Sequence, residues 1–264
     1  MFCHLKMVVS GSWDETLIIW KLDGEIDKIL RGHTDKITCV SALPNGQIVS
    51  GSWDGTLIIW KLDGEIDEIL RGHTGYIECV TVLPGGQIIS GSDDQTCIIW
   101  TLNEDIDRIL RGHNHCVNCV SILPNGQIVS GSYDQTCIIW KYNGDIDKVC
   151  KGHTGSITCI SVLPNGQIVS GSCDKTLIIW KLNGEIDIIC KGHIYPVTCI
   201  SVLPNGQIVS GSMNKTLIIW KEDGEIDKIL IGHTDCVKCI NILPFKNGGQ
   251  IVSGSHDNTL IIWK

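Results

Sequence analysis

Basic charge, long apolar runs and most aromatic residues are scarce in this chain. Lys and Arg number 21 against 29 Asp and Glu, a formal charge of −8, and no basic run stands out. That balance argues against strong electrostatic binding to nucleic acid or to an anionic membrane. Apolar runs are short, as in Leu57-Ile58-Ile59-Trp60, far below the roughly eighteen residues that span a bilayer as a helix. The opening stretch, Met1 to Met7, holds no apolar core of signal-peptide length. A cytoplasmic or nuclear protein is expected. Only 2 Phe and 4 Tyr occur, yet there are 9 Trp, so aromatic usage is concentrated in one residue type. With 43 % hydrophobic and 19 % charged residues the chain is not of disordered composition. We expect residues 1–264 to form one domain.

What is abundant is repetition. Trp recurs at 20, 60, 100, 140, 180, 220 and 263, in steps of 40 with a final step of 43 that accommodates Phe245-Lys246-Asn247. Residues 161–180 and 201–220 differ at two positions of twenty, as after a recent internal duplication. Each repeat holds four extended segments. In the second they are Glu25 to Leu30, Ile37 to Leu43, Gln47 to Ser52 and Thr56 to Trp60, with tight turns at Pro44-Asn45-Gly46 and Trp53-Asp54-Gly55. Thr56 to Trp60 is continuously apolar, which suits a strand buried on both faces. No helical period appears. Four short strands per 40 residues, repeated, is the pattern of propeller blades.

Gly32-His33 followed by Ser50-Gly51-Ser52-x-Asp54-x-Thr56-x-x-x-Trp60 resembles the WD40 repeat, and the resemblance covers nearly the whole chain. One departure is Lys after the Trp (Thr at 101), where the family often has Asp. The resemblance implies an all-β WD40 propeller. Naming the strands a to d, the chain opens at strand b of a first repeat and stops at strand c of a seventh. That gives 26 strands, where seven full blades need 28. Seven blades with an incomplete seam blade are expected. The alternative is six blades, with residues 25–30 as the outer strand of the last.

His33, Ser50, Asp54 and Trp60 recur as a set, as do His113, Ser130, Asp134 and Trp140. Ser, His and Asp together suggest a hydrolase triad. Six copies between strands fit a structural relay better, from indole N–H to hydroxyl to imidazole to carboxylate. At His193 the acid is Asn214, which weakens the last link, and the first repeat has Ser10, Asp14 and Trp20 but no His. No catalytic residue and no cofactor is assigned. Of 14 Cys, six (Cys39, Cys79, Cys119, Cys159, Cys199 and Cys239) share one strand register and read as reduced core residues. Cys116-x-x-Cys119 and Cys236-x-x-Cys239 match half a zinc pattern, but positions i and i+3 of a strand point to opposite faces. No metal is expected. Ser172-x-x-Lys175 matches a β-lactamase start, but in a repeated turn with no partner motif.

Variation between repeats gathers before the turn Asp (Trp13, Trp53, Asp93, Tyr133, Cys173, Met213, His256) and after Gly-His (Asp35-Lys36, Gly75-Tyr76, His115-Cys116, Gly155-Ser156, Tyr195-Pro196, Asp235-Cys236). In a propeller these b–c turns and d–a loops lie on one end. Drift at exposed positions produces such a pattern too, but it would also vary the copies of Pro44-Asn45-Gly46, which stay almost fixed. The variable set is rich in Trp, Tyr, His and Met, which anchor interfaces. The expected function is a protein-interaction scaffold. It binds a peptide or protein segment through Trp13, Trp53, Tyr76, Asp93, His115, Tyr133, Tyr195, Met213 and His256, without nucleic acid or membrane. Three alternatives remain open. One is a ubiquitin-binding or ubiquitin-pathway substrate adaptor, since some propellers there carry similar Leu-Pro-x-Gly and Ser-Gly-Ser-x-Asp text. Another is an enzyme using His115, His256 and Asp93. The third is a structural subunit that self-associates through the open seam edge.

Overall fold

Turn chemistry sets the strand ends. In the Pro44-Asn45-Gly46 turn, Asn45 Oδ1 accepts from the Gln47 N–H at 3.0 Å, and the Gly46 N–H donates to the Leu43 carbonyl at 2.9 Å. Gly46 sits at φ 92°, a left-handed conformation open to glycine at little cost. The Leu43 N–H donates to the Gln47 carbonyl, so Gln47 belongs to the turn and the next strand starts at Ile48.

The computed structural model describes residues 7–21, 23–102, 106–243 and 249–263. The Phe245-Lys246-Asn247 insertion and residues 1–6 lie outside them. Seven antiparallel sheets follow one another along the chain. The first holds β1 (Met7–Gly11), β2 (Thr16–Lys21) and β3 (Ile26–Arg31). The second holds β4 (Ile37–Ala42), β5 (Ile48–Ser52), β6 (Thr56–Trp60) and β7 (Ile66–Arg71). The third holds β8 (Ile77–Val82), β9 (Ile88–Ser92), β10 (Thr96–Trp100) and β11 (Ile106–Arg111). The fourth holds β12 (Val117–Ile122), β13 (Ile128–Ser132), β14 (Thr136–Trp140) and β15 (Ile146–Lys151). The fifth holds β16 (Ile157–Val162), β17 (Ile168–Ser172), β18 (Thr176–Trp180) and β19 (Ile186–Lys191). The sixth holds β20 (Val197–Val202), β21 (Ile208–Ser212), β22 (Thr216–Trp220) and β23 (Ile226–Ile231). The seventh holds β24 (Val237–Leu243), β25 (Gln250–Ser255) and β26 (Leu260–Ile262).

These sheets are the blades of a seven-bladed β-propeller fold, with three strands in the first and last and four in the others. The six-bladed alternative needed residues 25–30 elsewhere. Instead β3 pairs with β2, in register Leu17↔Leu30 and Ile18↔Ile29. Among the described residues there is no helix, and so none long and apolar enough to cross a membrane. Contacts along the chain divide it into two compact units, residues 1–120 and 121–264, with the division falling inside β12.

Within the first unit the packing explains the apolar run of the third strand. Ile58 and Trp60 of β6 face the preceding sheet and pack with Leu17, Ile19 and Leu30. Leu57 and Ile59 face the following sheet and pack with Leu70, Ile77, Ile98 and Trp100. Alternate side chains thus enter two different cores, so every position must be apolar. The second unit repeats this, with Leu177 and Ile179 against Ile218 and Trp220. First strands of consecutive sheets are also tied by side chains. Thr38 Oγ1 donates to the Ile77 carbonyl at 2.6 Å and Thr158 Oγ1 to the Val197 carbonyl at 2.7 Å.

Gly51 shows how tight this junction is. A Cβ there would lie 2.7 Å from Cys39 Sγ and 2.7 Å from Ile77 Cγ2. Gly171 meets Cys159 Sγ and Val197 Cγ1 at the same distances. The recurring Cys therefore fills space against a recurring Gly. All described cysteines are free thiols, and burial pushes Cys39 and Cys159 up to about 12.

Candidate functional site

The recurring polar set is a relay. In the second sheet Trp60 Nε1–H donates to Ser50 Oγ at 2.8 Å. Ser50 Oγ lies 2.8 Å from His33 Nε2, and His33 Nδ1 lies 2.8 Å from Asp54 Oδ2. An indole can only donate and a carboxylate can only accept. The chain is therefore satisfied when Ser50 donates to Nε2 and His33 donates from Nδ1. The sets at His73, His153 and His233 have the same geometry. In the fourth, Trp140 donates to Ser130 at 2.8 Å, Asp134 accepts from the Thr136 N–H and hydroxyl, and His113 is buried in the first unit.

Asp54 takes four donors. Oδ1 accepts from the Thr56 N–H and hydroxyl, and Oδ2 accepts from His33 and the Thr34 N–H. Burial alone would raise this carboxyl. The donors outweigh it and hold Asp54 well below the usual carboxylate range, and the same balance holds for Asp94 and Asp174. Ser50, Ser90, Ser130, Ser170, Ser210 and Ser253 are all fully buried. Hydroxyls so enclosed brace the turns.

In five repeats the two variable segments touch. The Trp53 N–H donates to the Lys36 carbonyl at 2.9 Å, Asp93 to Tyr76 at 2.9 Å, Cys173 to Ser156 at 2.9 Å, Met213 to Pro196 at 3.1 Å and His256 to Cys236 at 2.9 Å. These five b–c turns are thus clipped onto the d–a loops before them. Ser172-x-x-Lys175 lies in such a turn, with Lys175 at φ 74°.

In the first unit the variable side chains make a continuous arc. Lys36 Nζ lies 4.6 Å from the Trp13 ring centroid and 4.2 Å from that of Trp53. Trp53 stacks on Tyr76 at 5.0 Å between centroids, with 19° between planes. Trp13 is 61 % exposed and Tyr76 47 %. Trp53 is half-buried, and its Nε1 is covered and has no hydrogen-bond partner. The sequence put the three rings in the turns and loops of one end. Sequence reasoning missed Lys36, whose place in a variable loop was the available signal. Asp93 and His115 are exposed in the same unit. In the second unit Tyr133, Tyr195, Met213 and His256 are exposed on the corresponding turns, and the Tyr133 carbonyl accepts from Ser156 Oγ at 3.4 Å.

Among the described residues no group of three or more His, Cys, Asp or Glu is arranged to hold a metal.

No curated protein matched the chain in a sequence search. The family model for the WD domain, G-beta repeat, matches residues 24–61, 64–101, 105–141, 144–181, 184–221 and 224–264. Six matches covering most of the sequence make this chain a member of the WD40 repeat family.

Proposed function

We propose that the chain is a non-catalytic platform that binds a peptide or protein segment through its clipped turn-and-loop end. WD40 propellers are in general protein-interaction scaffolds. The observation that carries the finer reading is the arc of Trp13, Lys36, Trp53 and Tyr76. A large indole left in water at a turn is the residue type that anchors interfaces. It sits beside a second aromatic surface, Trp53, that packs against Lys36 and Tyr76. Asp93, His115, Tyr133, Tyr195, Met213 and His256 belong to equivalent turns and loops and extend the proposed contact set. The Ser–His–Asp groups spend their hydrogen bonds on one another, which favours binding over catalysis. Footprinting of a complex with a captured partner tests the reading. Protection of Trp13 and Tyr76 is expected, whereas protection confined to the Pro-Asn-Gly turns overturns it.

A second reading rests on β26. Leu260 is 74 % and Ile262 55 % exposed, whereas the equivalent Leu57 and Ile59 of β6 are buried. Among the described residues β26 has one paired neighbour, β25. An open edge with apolar flanks invites self-association. Light scattering of wild type and Leu260→Lys distinguishes an assembling chain, whose mass falls in the variant, from a monomer.

A further inference from the structure

We infer that the arc in the first unit recognises an acidic side chain, Asp or Glu, carried by the bound segment beside an apolar residue. This rests on the loop-face reading above and gives its ligand a chemistry. Hydrogen-bonding capacity in the arc is one-sided. Among the described residues Lys36 Nζ makes no hydrogen bond or ion pair and lies against two indole faces. The Tyr76 hydroxyl stands on a half-exposed ring stacked on Trp53, and no acceptor for it lies among the described residues. Both donate.

The neighbouring acceptors are already engaged by the chain itself. Asp14 Oδ1 accepts from the Thr16 N–H and hydroxyl. Asp35 Oδ1 accepts from the Lys36 N–H at 2.7 Å. Asp54 accepts from four donors. Asp14, Asp35 and Asp54 keep their negative charge, but each accepts from groups of its own loop or turn, and none pairs with the Lys36 ammonium among the described residues. A carboxylate placed at Lys36 would form a charge-assisted hydrogen bond. The ammonium there is held between two rings, so little side-chain freedom remains to be lost on binding. Trp13, next to it, offers an apolar face for the adjoining residue.

The test is to pan a displayed library of random peptides, about twelve residues long as suits an extended recognition segment, on the full chain and to remeasure the winners on variants. Enrichment of Asp or Glu next to an aliphatic or aromatic residue is expected. So is affinity that falls roughly tenfold or more with Lys36→Met, falls less than about threefold with Lys36→Arg, and weakens as salt is raised. Thermal stability of Lys36→Met, measured in parallel, shows that the variant remains folded. Enrichment of Arg or Lys, or tighter binding by Lys36→Met, overturns the acidic ligand while leaving the loop face in place. Winners that bind a Trp13→Ala chain as well as wild type overturn both.

Discussion

His193 and Asn214 stand where four other blades place a His–Asp hydrogen bond of 2.7 to 2.9 Å, and here His193 Nδ1 is buried without a partner among the described residues. The remaining links persist, with Trp220 donating to Ser210 at 2.8 Å and Ser210 2.7 Å from His193. Asn214 Oδ1 still accepts from the Thr216 hydroxyl at 2.9 Å. The amide thus keeps the turn but drops the relay. Asn214→Asp should stabilise the chain by about 2 kcal/mol, the scale of a charge-assisted hydrogen bond. It should read as a higher urea midpoint at unchanged slope.

Acid should weaken the wild-type fold in a defined window. Burial pushes the His193 imidazole down from 6.5 to about 4. A group depressed in this way stays neutral in the folded chain while the unfolded chain takes up a proton, so stability falls as pH drops from about 6.5 to about 4. The loss amounts to about 3 kcal/mol, at about 1.4 kcal/mol per pH unit. Asp54, Asp94 and Asp174, held below their ordinary range, keep their contribution above about pH 4 and lose it only in stronger acid. Urea unfolding between pH 4 and 7.5 should slope for wild type and flatten for Asn214→Asp.

Trp60→Phe keeps most of the ring but removes the donor that holds Ser50. A loss of about 2–3 kcal/mol is expected from the broken buried relay and the smaller ring. Trp20→Phe should cost clearly less. Its bond to Ser10, also 2.8 Å, is only partly buried and leads to no histidine among the described residues. Equal losses in chemical denaturation would show that the relays are not the source.

Gly51→Ala should destabilise by about 1–3 kcal/mol through overpacking, because the new methyl would meet Cys39 Sγ and Ile77 Cγ2. Cys39→Ala removes the sulfur side of that clash. The double variant should therefore recover part of the loss, a coupling that a double-mutant cycle measures.

Much of this was legible because the chain states it repeatedly. The b–c hairpins end at the seven Trp, and the relay follows from one donor-only and one acceptor-only group flanking Ser and His. Strand starts shifted by one residue at Ile26 and Ile48, since Glu25 and Gln47 are consumed by turns: the Lys21 N–H donates to the Glu25 carbonyl and the Leu43 N–H to that of Gln47. The aromatic arc was legible only in outline. Trp53 reads from sequence as an indole in water, yet Lys36 and Tyr76 cover it on two sides. A lysine lying across two rings depends on its own flexible stem and on loops from consecutive repeats, neither of which has a sequence period. The residue that best separates binding from packing is therefore Trp13, the most exposed ring of the arc.

The most direct measurement of the interaction reading is Trp13→Ala, with melting temperature and affinity for a selected peptide determined on the same preparation. An exposed side chain contributes little to folding, so stability should change by less than about 0.5 kcal/mol. Affinity should fall by about 2 kcal/mol, the loss of an anchor residue. A large fall in melting temperature with unchanged affinity would contradict the account, making Trp13 a packing residue and leaving the proposed face without its anchor.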